Sequence, residues 1–142
     1  MKRITAVALS VVASLFGVGH AFAQEEYPVR ATLPFNFTVG DKVLPAGTYT
    51  ILQVRDDLIE VRNQDGSVAV LSTAYPHSEP YLHNAVLVFN RYGDQYFLSE
   101  VGGGASAVNV NLPASKFEQR ARHQENLALN KSQVTIPVSE GY

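Results

Sequence analysis

The chain contains no cysteine and no tryptophan among its 142 residues. Without cysteine it cannot form a disulfide framework, a thiolate-ligated zinc or iron–sulfur site, or a cysteine nucleophile. Its charge is nearly balanced, with 11 lysine and arginine residues against 13 acidic residues and a formal net charge of −2. Because nucleic-acid binding needs a clustered excess of positive charge, this balance argues against a nucleic-acid partner.

Residues 1–23 have the three successive parts of a secretory signal peptide. Lys2 and Arg3 give a positive start, an uncharged and mostly apolar run follows, and Ala21 and Ala23 provide the small residues that a signal peptidase reads. The apolar run is shorter than the roughly 20 residues that a membrane-spanning helix needs. We therefore expect cleavage after Ala23, a secreted or periplasmic location, and membrane contact only through the signal peptide before cleavage.

Residues 24–142 are predicted to form a single β-rich domain. Apolar and polar residues alternate from Val29 to Val39, which is typical of a half-buried strand. Pro34 lacks an N–H group, so this strand is predicted to lie at a sheet edge or to break there. The segment from Ala85 to Tyr92 is apolar on both faces and is therefore predicted to be central in its sheet.

One helix is predicted over about residues 115–129. Ser115 and Glu118 have the spacing of a capping box, in which each side chain bonds the backbone N–H of the other residue. Phe117 and Ala121 are predicted to lie on its thin apolar stripe, facing the body of the protein. Residues 133–138 could add a last strand.

The order of elements predicts the fold class. Many short strands precede one helix, and no helix regularly separates the strands, so a doubly wound parallel sheet is improbable. The pattern predicts a mainly β fold with about 7–8 short strands and one peripheral C-terminal helix. Both a single antiparallel β-sandwich and a rolled β-barrel fit this pattern.

The segment from residue 75 to residue 84 is the candidate contact region, because it interrupts the strand pattern with two prolines, two tyrosines and two histidines. Exposed loops often carry binding residues, and tyrosine rings offer flat amphipathic contact area. The predicted ligand or partner contacts are Tyr75, His77, Tyr81 and His83.

Other patterns do not support catalysis. The Gly-rich segment 102–107 has the spacing of a dinucleotide loop, but a predicted strand follows it where a helix is needed. His77, Glu79 and His83 carry metal-capable side chains, but a proline-containing loop does not force them to converge on an ion. The aspartates fall at predicted turns, where their carboxylates can bond nearby backbone N–H groups, so they do not indicate a calcium site. We therefore predict no enzyme activity, no cofactor and no metal.

Two segments carry a resemblance to a known group of proteins. They are PFNFTVGDKVLPAGTYTI at residues 34–51 and LVFNRYGDQYFLSEV at residues 87–101. The chain resembles small secreted proteins of Acidobacteria-type bacteria that have PFxFxVGxxxLPAGxY and FxRYGDxYFL segments. The resemblance implies an exported protein and no catalytic residues. The residues of both motifs themselves predict strand–turn–strand scaffolding.

The leading functional hypothesis is therefore an exported, non-enzymatic β-domain that binds a partner or forms a structural part of the cell envelope. The partner would be another protein or an envelope component. Two alternatives stay open at this point. One is a carrier that holds a small apolar ligand inside a barrel. The other is a hydrolase or metal enzyme whose site is assembled from residues distant in the sequence.

Overall fold

Strands dominate the part of the chain that the structure describes. This computed structural model describes residues 28–77, 85–102, 108–124 and 132–140. The strands within these ranges are β1 (Val29–Leu33), β2 (Phe37–Val39), β3 (Lys42–Leu44), β4 (Gly47–Arg55), β5 (Leu58–Asn63), β6 (Ala69–Thr73), β7 (Tyr75–Pro76), β8 (Val86–Tyr92), β9 (Gln95–Gly102), β10 (Val110–Asn111), β11 (Ser132–Pro137) and β12 (Ser139–Glu140). The predicted mainly β fold is confirmed.

The strands form two sheets. The first has the order β12-β1-β4-β5-β6, and the second has the order β11-β8-β9-β10-β7 with β2 and β3 joined to it through β9. The described pairs are antiparallel except for β2 and β9, which pair in parallel at Thr38 and Phe97. Strand β8 lies between β11 and β9, so its predicted central position is confirmed.

The predicted strand from Val29 to Val39 is two strands in two different sheets. Strand β1 ends at Leu33, and β2 begins at Phe37. The break falls at Pro34, where the ladder loses a donor. Of the two predicted alternatives the break is therefore confirmed, whereas β1 is not an edge strand, because it lies between β12 and β4.

Buried residues from both sheets form one hydrophobic core. Residues of β1 alternate between buried and exposed, so Val29, Ala31 and Leu33 face this core as their period-two spacing predicts. Its largest side chains are aromatic and meet edge to face. The ring centroids of Phe37 and Tyr49 are 5.0 Å apart, and those of Phe37 and Phe89 are 5.6 Å apart.

The helix α1 spans Lys116–Gln124 and lies against the second sheet through Tyr92, Phe97 and Ala121. Its start agrees with the prediction, whereas residues 125–129 of the predicted helix lie outside the described residues. The predicted last strand is present as β11, and β12 follows it. The predicted signal peptide, with Ala21 and Ala23, also lies outside the described residues. No helix in the described ranges combines the length and apolar character needed to cross a bilayer.

Candidate functional site

A groove of about 650 Å³ lies where three parts of the molecule meet. One wall is strand β6, the second is the hairpin between β2 and β3, and the third is the segment that leads into α1. The lining residues are 39–42, 70–73, 113–116 and Gln119. The groove thus brings together both sheets and the helix, from segments far apart in the sequence.

Strand β6 is the edge of the first sheet, since within the described residues it pairs only with β5. Two hydrogen bonds, one at each end of the β5–β6 ladder, show which of its residue pairs are hydrogen-bonded. The Asn63 N–H donates to the Val68 carbonyl at 2.9 Å, and the Ala74 N–H donates to the Asp57 carbonyl at 3.0 Å. Hydrogen-bonded and non-hydrogen-bonded residue pairs alternate along an antiparallel ladder. The two bonds therefore determine which β6 residues bond β5.

The backbones of Ala69, Leu71 and Thr73 point away from β5. They occupy the non-hydrogen-bonded positions of this ladder, so their N–H and C=O groups face the open edge. The Thr73 carbonyl accepts one long bond, at 3.4 Å, from the Ser72 hydroxyl. Strand β6 contains no charged residue and no proline, which are common protections of edge strands. Within the part of the chain that the structure describes, this edge is therefore a template for a further strand.

The groove runs along this edge rather than over one face of the sheet. Successive side chains of a strand point to opposite faces. The groove nevertheless contacts four consecutive residues, from Val70 to Thr73. Val70 and Ser72 are buried, whereas Leu71 is 61% exposed, so the groove reaches both kinds of position. The lining residues therefore follow the backbone of β6 from Val70 to Thr73.

The hairpin wall approaches β6 closely at Gly40. This residue has a φ of 58°, in the left-handed region that favours glycine. A Cβ atom at this position would lie 3.6 Å from the Ser72 hydroxyl oxygen. The turn therefore needs glycine for its backbone conformation, while the space beside Ser72 could accept a methyl group. Asp41 follows in the same turn and Lys42 begins β3, and these two residues give this wall its charged groups.

The third wall is held in place by local hydrogen bonds. The Leu112 N–H donates to the Ser99 carbonyl at 2.8 Å, which ties the segment to β9 before the helix begins. The Glu118 N–H donates to the Ser115 hydroxyl at 3.2 Å, so Ser115 is the N-cap, as predicted. The Gln119 amide nitrogen donates to the Ala114 carbonyl at 3.2 Å. These bonds fix the first turn of α1 beside the groove.

A buried carboxylate attaches the helix to the second sheet. Glu118 is only 3% exposed, and its Oε1 accepts hydrogen bonds from the Asn90 amide nitrogen at 2.8 Å and the Tyr92 hydroxyl at 3.1 Å. Both donors lie on β8. We call Asn90, Tyr92 and Glu118 the carboxylate cluster. Because both bonds join α1 to β8, this cluster positions the helix that forms the third wall.

The electrostatics of the cluster extend to Arg122. Burial raises the pKa of the Tyr92 hydroxyl above its ordinary value; Arg122 opposes this shift, and Glu118 adds to it. The hydroxyl in turn raises the pKa of Arg122, with a smaller contribution from Glu118. At neutral pH the tyrosine is therefore a protonated donor to the carboxylate, beside a charged guanidinium.

Two sequence predictions about α1 are wrong because Glu118 faces the second sheet. The Glu118 side chain does not complete a capping box; it bonds β8 instead. Phe117 is 46% exposed, so it does not belong to a buried apolar stripe. The inward face consists of Glu118 and Ala121. Hydrophobic periodicity could not reveal this, because a buried carboxylate counts as polar in any such pattern. The available signal was the polar Asn90, which directly follows the apolar run Val86–Phe89.

The structure describes two of the four predicted contact residues, Tyr75 and His77. Tyr75 belongs to β7, is 56% exposed and pairs with Asn111 of β10. The His77 N–H donates to the Asn109 carbonyl at 2.9 Å. Tyr81 and His83 lie outside the described residues. Tyr75 follows Thr73 by two residues, so the predicted region adjoins the end of β6, but its role in contact stays a prediction.

The groups in the groove suit binding by hydrogen bonds, apolar contact and charge. Lys42 and Lys116 provide cations, Asp41 provides a carboxylate, and Leu71 provides an exposed apolar side chain. Among its described lining residues there is no imidazole to act as a general base for the serine hydroxyls. The described ranges also contain no group of three or more His, Cys, Asp and Glu side chains that could hold a metal ion.

Comparison with protein-family models, with curated proteins and with solved structures found no match to this chain.

Proposed function

We propose that this protein is an exported binding module that takes an extended segment of another polypeptide beside β6. The observation that carries the proposal is the groove beside β6, whose lining includes Leu71 and Thr73, two residues with outward-facing backbones. An added strand gains its affinity from main-chain hydrogen bonds and its specificity from the pockets beside alternate side chains. The groove offers both features.

The packing between the sheets favours this surface over an internal carrier site. Phe37, Tyr49 and Phe89 are almost fully buried there and fill the space with edge-to-face ring pairs. A carrier would need inward positions that side chains leave empty. The groove instead lies at a sheet edge, where a partner polypeptide can approach from solvent.

Export is the second part of the proposal, and it is supported by the signal-peptide pattern of residues 1–23. Sequencing the N-terminus of the protein recovered outside the cytoplasm tests it. We expect the mature chain to begin at Gln24. Replacing both small residues, Ala21→Phe together with Ala23→Phe, should block this cleavage. Recovery of the unprocessed chain from the cytoplasm alone would contradict export.

A pair of variants at one position tests strand addition. Leu71→Pro removes an N–H that faces the open edge, where proline is tolerated in strands. Leu71→Ala keeps that N–H and removes most of the side chain. The probe is a blocked, fluorescently labelled heptapeptide of alternating threonine and glutamine, measured by fluorescence anisotropy. A net hydrogen bond contributes on the order of 1 kcal/mol, so Leu71→Pro should weaken binding about fivefold to tenfold.

The Leu71→Ala variant is expected to bind the same peptide nearly as well as the wild type. Circular dichroism and thermal unfolding of both variants control for folding. A peptide methylated at alternate amide nitrogens, which cannot pair with an edge strand, should fail to bind. Equal affinity of the wild type and Leu71→Pro for the unmethylated peptide would overturn strand addition at β6.

A further inference from the structure

The charged residues that line the groove are two lysines and one aspartate. Lys42 lies on the hairpin wall and Lys116 on the helix wall, and both are exposed. Asp41 is the one carboxylate among the described lining residues. On the neighbouring strand β5, the Arg62 guanidinium donates to the Glu60 carboxylate at 2.7 Å, so this pair adds no net charge. The described groove lining therefore carries one more cation than anion, with both lysines on the walls that face β6.

The helix extends this positive surface beyond the groove. Glu118 is the only acidic residue of α1, and it is buried in the carboxylate cluster. Burial removes it from the outer surface, where Lys116 and Arg120 are exposed. These two residues are four apart, which places them on the same side of the helix. The chain has a formal charge of −2, so this basic side is a local departure from its overall balance.

We infer that the polypeptide segment bound along β6 is acidic, with Lys42 and Lys116 as the residues that select its charge. This inference rests on the proposed function, because the edge of β6 provides the main-chain bonds and the lysines act only on a segment already seated there. Alternate side chains of an added strand point to opposite faces. A one-residue change of register therefore lets acidic side chains of an alternating sequence face the lysines.

The observations favour a polypeptide over an anionic membrane surface. A helix that lies in a membrane interface needs a broad apolar face. Within α1 the exposed large apolar side chain is Phe117, and the Arg120 guanidinium lies over its ring, 5.6 Å from the centroid. In addition, lipid headgroups provide no extended backbone to pair with β6. Charge complementarity and the free edge together indicate an acidic strand.

Three blocked heptapeptides test the inference on the full mature chain. Threonine alternates with glutamate in the first, with glutamine in the second and with lysine in the third. Anisotropy titrations at low salt should give affinities in the order glutamate, glutamine, lysine, with at least about tenfold between the first and the last. Exposed charges are screened by salt, so this preference should shrink as the salt concentration is raised to about 0.5 M.

Matched charge variants locate the preference. Lys116→Gln and Lys42→Gln should each reduce the ratio of glutamate to glutamine affinity, with no effect on the glutamine peptide itself. Arg55→Gln removes one exposed cation outside the groove, where Arg55 pairs with Asp57, and it should leave the ratio unchanged. If Arg55→Gln lowers the ratio as much as Lys116→Gln does, the preference reflects net charge and the inference is wrong.

The outcomes separate this inference from the proposed function. Equal binding of all three peptides by the wild type would overturn the acidic preference and leave strand addition standing. Failure of all three peptides to bind at millimolar concentration would overturn strand addition itself. Binding of the protein to phosphatidylglycerol vesicles is measured as a last comparison. Binding to these vesicles without binding to the glutamate peptide would assign the basic surface to a membrane and contradict both statements.

Discussion

The layer between the two sheets and the layer beneath the helix differ in the side chains that fill them. The inter-sheet layer is apolar, and its largest members are aromatic rings such as Phe37 and Phe89. The layer beneath α1 combines Phe97 and Ala121 with the carboxylate cluster. Apolar packing in the first layer has no preferred direction. The hydrogen bonds in the second layer are directional, so they require one position of the helix.

This difference explains how a nine-residue helix can form a fixed wall of the groove. An isolated helix of that length is unstable in water, so its stability must come from tertiary contacts. Glu118 provides two of these contacts through directional bonds to β8. The inter-sheet core supports the fold, and the carboxylate cluster sets the geometry of the site.

The largest expected effect is in the inter-sheet layer. Phe89 is fully buried and meets both Phe35 and Phe37 edge to face. Phe89→Ala should lower the free energy of unfolding by about 3–5 kcal/mol, because it removes apolar burial and leaves a cavity. Urea unfolding monitored by circular dichroism measures this loss. Phe117→Ala, at the exposed ring, is the matched control and should cost far less.

The second prediction concerns substitutions that remove the carboxylate cluster beneath the helix. Glu118→Ala leaves the donors on Asn90 and Tyr92 without their carboxylate and should cost about 2–3 kcal/mol. Glu118→Gln keeps an acceptor oxygen and should cost less. Gln119→Ala, next in the helix but exposed, controls for helix propensity. If Glu118→Ala and Gln119→Ala have equal stability, the cluster does not hold the helix.

The third prediction concerns the helix start. Ser115→Ala removes the N-cap acceptor of the Glu118 N–H and should lower stability by about 1 kcal/mol. Thermal unfolding is a sufficient measurement, with Ser132→Ala at an exposed strand position as the control. Since the cap fixes only the first turn, this loss should be smaller than that of Glu118→Ala. A larger loss would place the main support of the helix at its end rather than in the cluster.

The fourth prediction is the response to alkaline pH. Burial raises the pKa of both Tyr92 and Tyr49 above the ordinary value of 10.0. The folded protein therefore holds these protons more tightly than the unfolded chain does, so their contribution is fully present below pH 10 and is lost as pH rises through the raised values. Unfolding in urea at about pH 8 and about pH 11 should show lower stability at the higher pH.

Phenylalanine substitutions separate the two tyrosines. Tyr92→Phe should reduce the alkaline loss and also weaken the carboxylate cluster at neutral pH. Tyr49→Phe should reduce the alkaline loss through a different bond, the one from the Tyr49 hydroxyl to the Pro45 carbonyl at 2.7 Å. An alkaline loss that both variants retain in full would contradict this assignment.

The smallest expected effect on stability is at the free edge. Leu71→Lys replaces an exposed side chain and should change the free energy of unfolding by no more than about 0.5 kcal/mol. Calorimetry of the variant beside the wild type measures the shift. Val54→Lys, at an exposed position on β4, is the matched control. A loss comparable to that of Glu118→Ala would show that the edge of β6 is already covered by the folded chain.

The contrast between the two layers also explains what the sequence could predict. Period-two alternation identified the inward residues of β1, because apolar burial leaves that pattern directly in the chain. The break at Pro34 followed from its missing N–H, and the cap at Ser115 followed from its spacing. These features depend on a few neighbouring residues.

The site depends on residues that the sequence does not bring together. Glu118 meets Asn90 and Tyr92 across more than 25 residues, and no periodicity marks a carboxylate as buried. The groove likewise needs the pairing order of the sheets, since β6 is an edge only because no described strand lies beyond it. Local patterns indicated strands, whereas the free edge is a property of the assembled sheets.

Hydrogen exchange at single amides of β6 tests the strand-addition account most directly. In the free protein the Val70 and Ser72 amides bond β5 and should exchange slowly, whereas those of Ala69, Leu71 and Thr73 should exchange quickly. Adding the threonine–glutamate heptapeptide should slow the second set and leave the first set unchanged. If the three outward amides are already slow in the free protein, or stay fast with the peptide bound, β6 is not the edge at which this protein binds its partner.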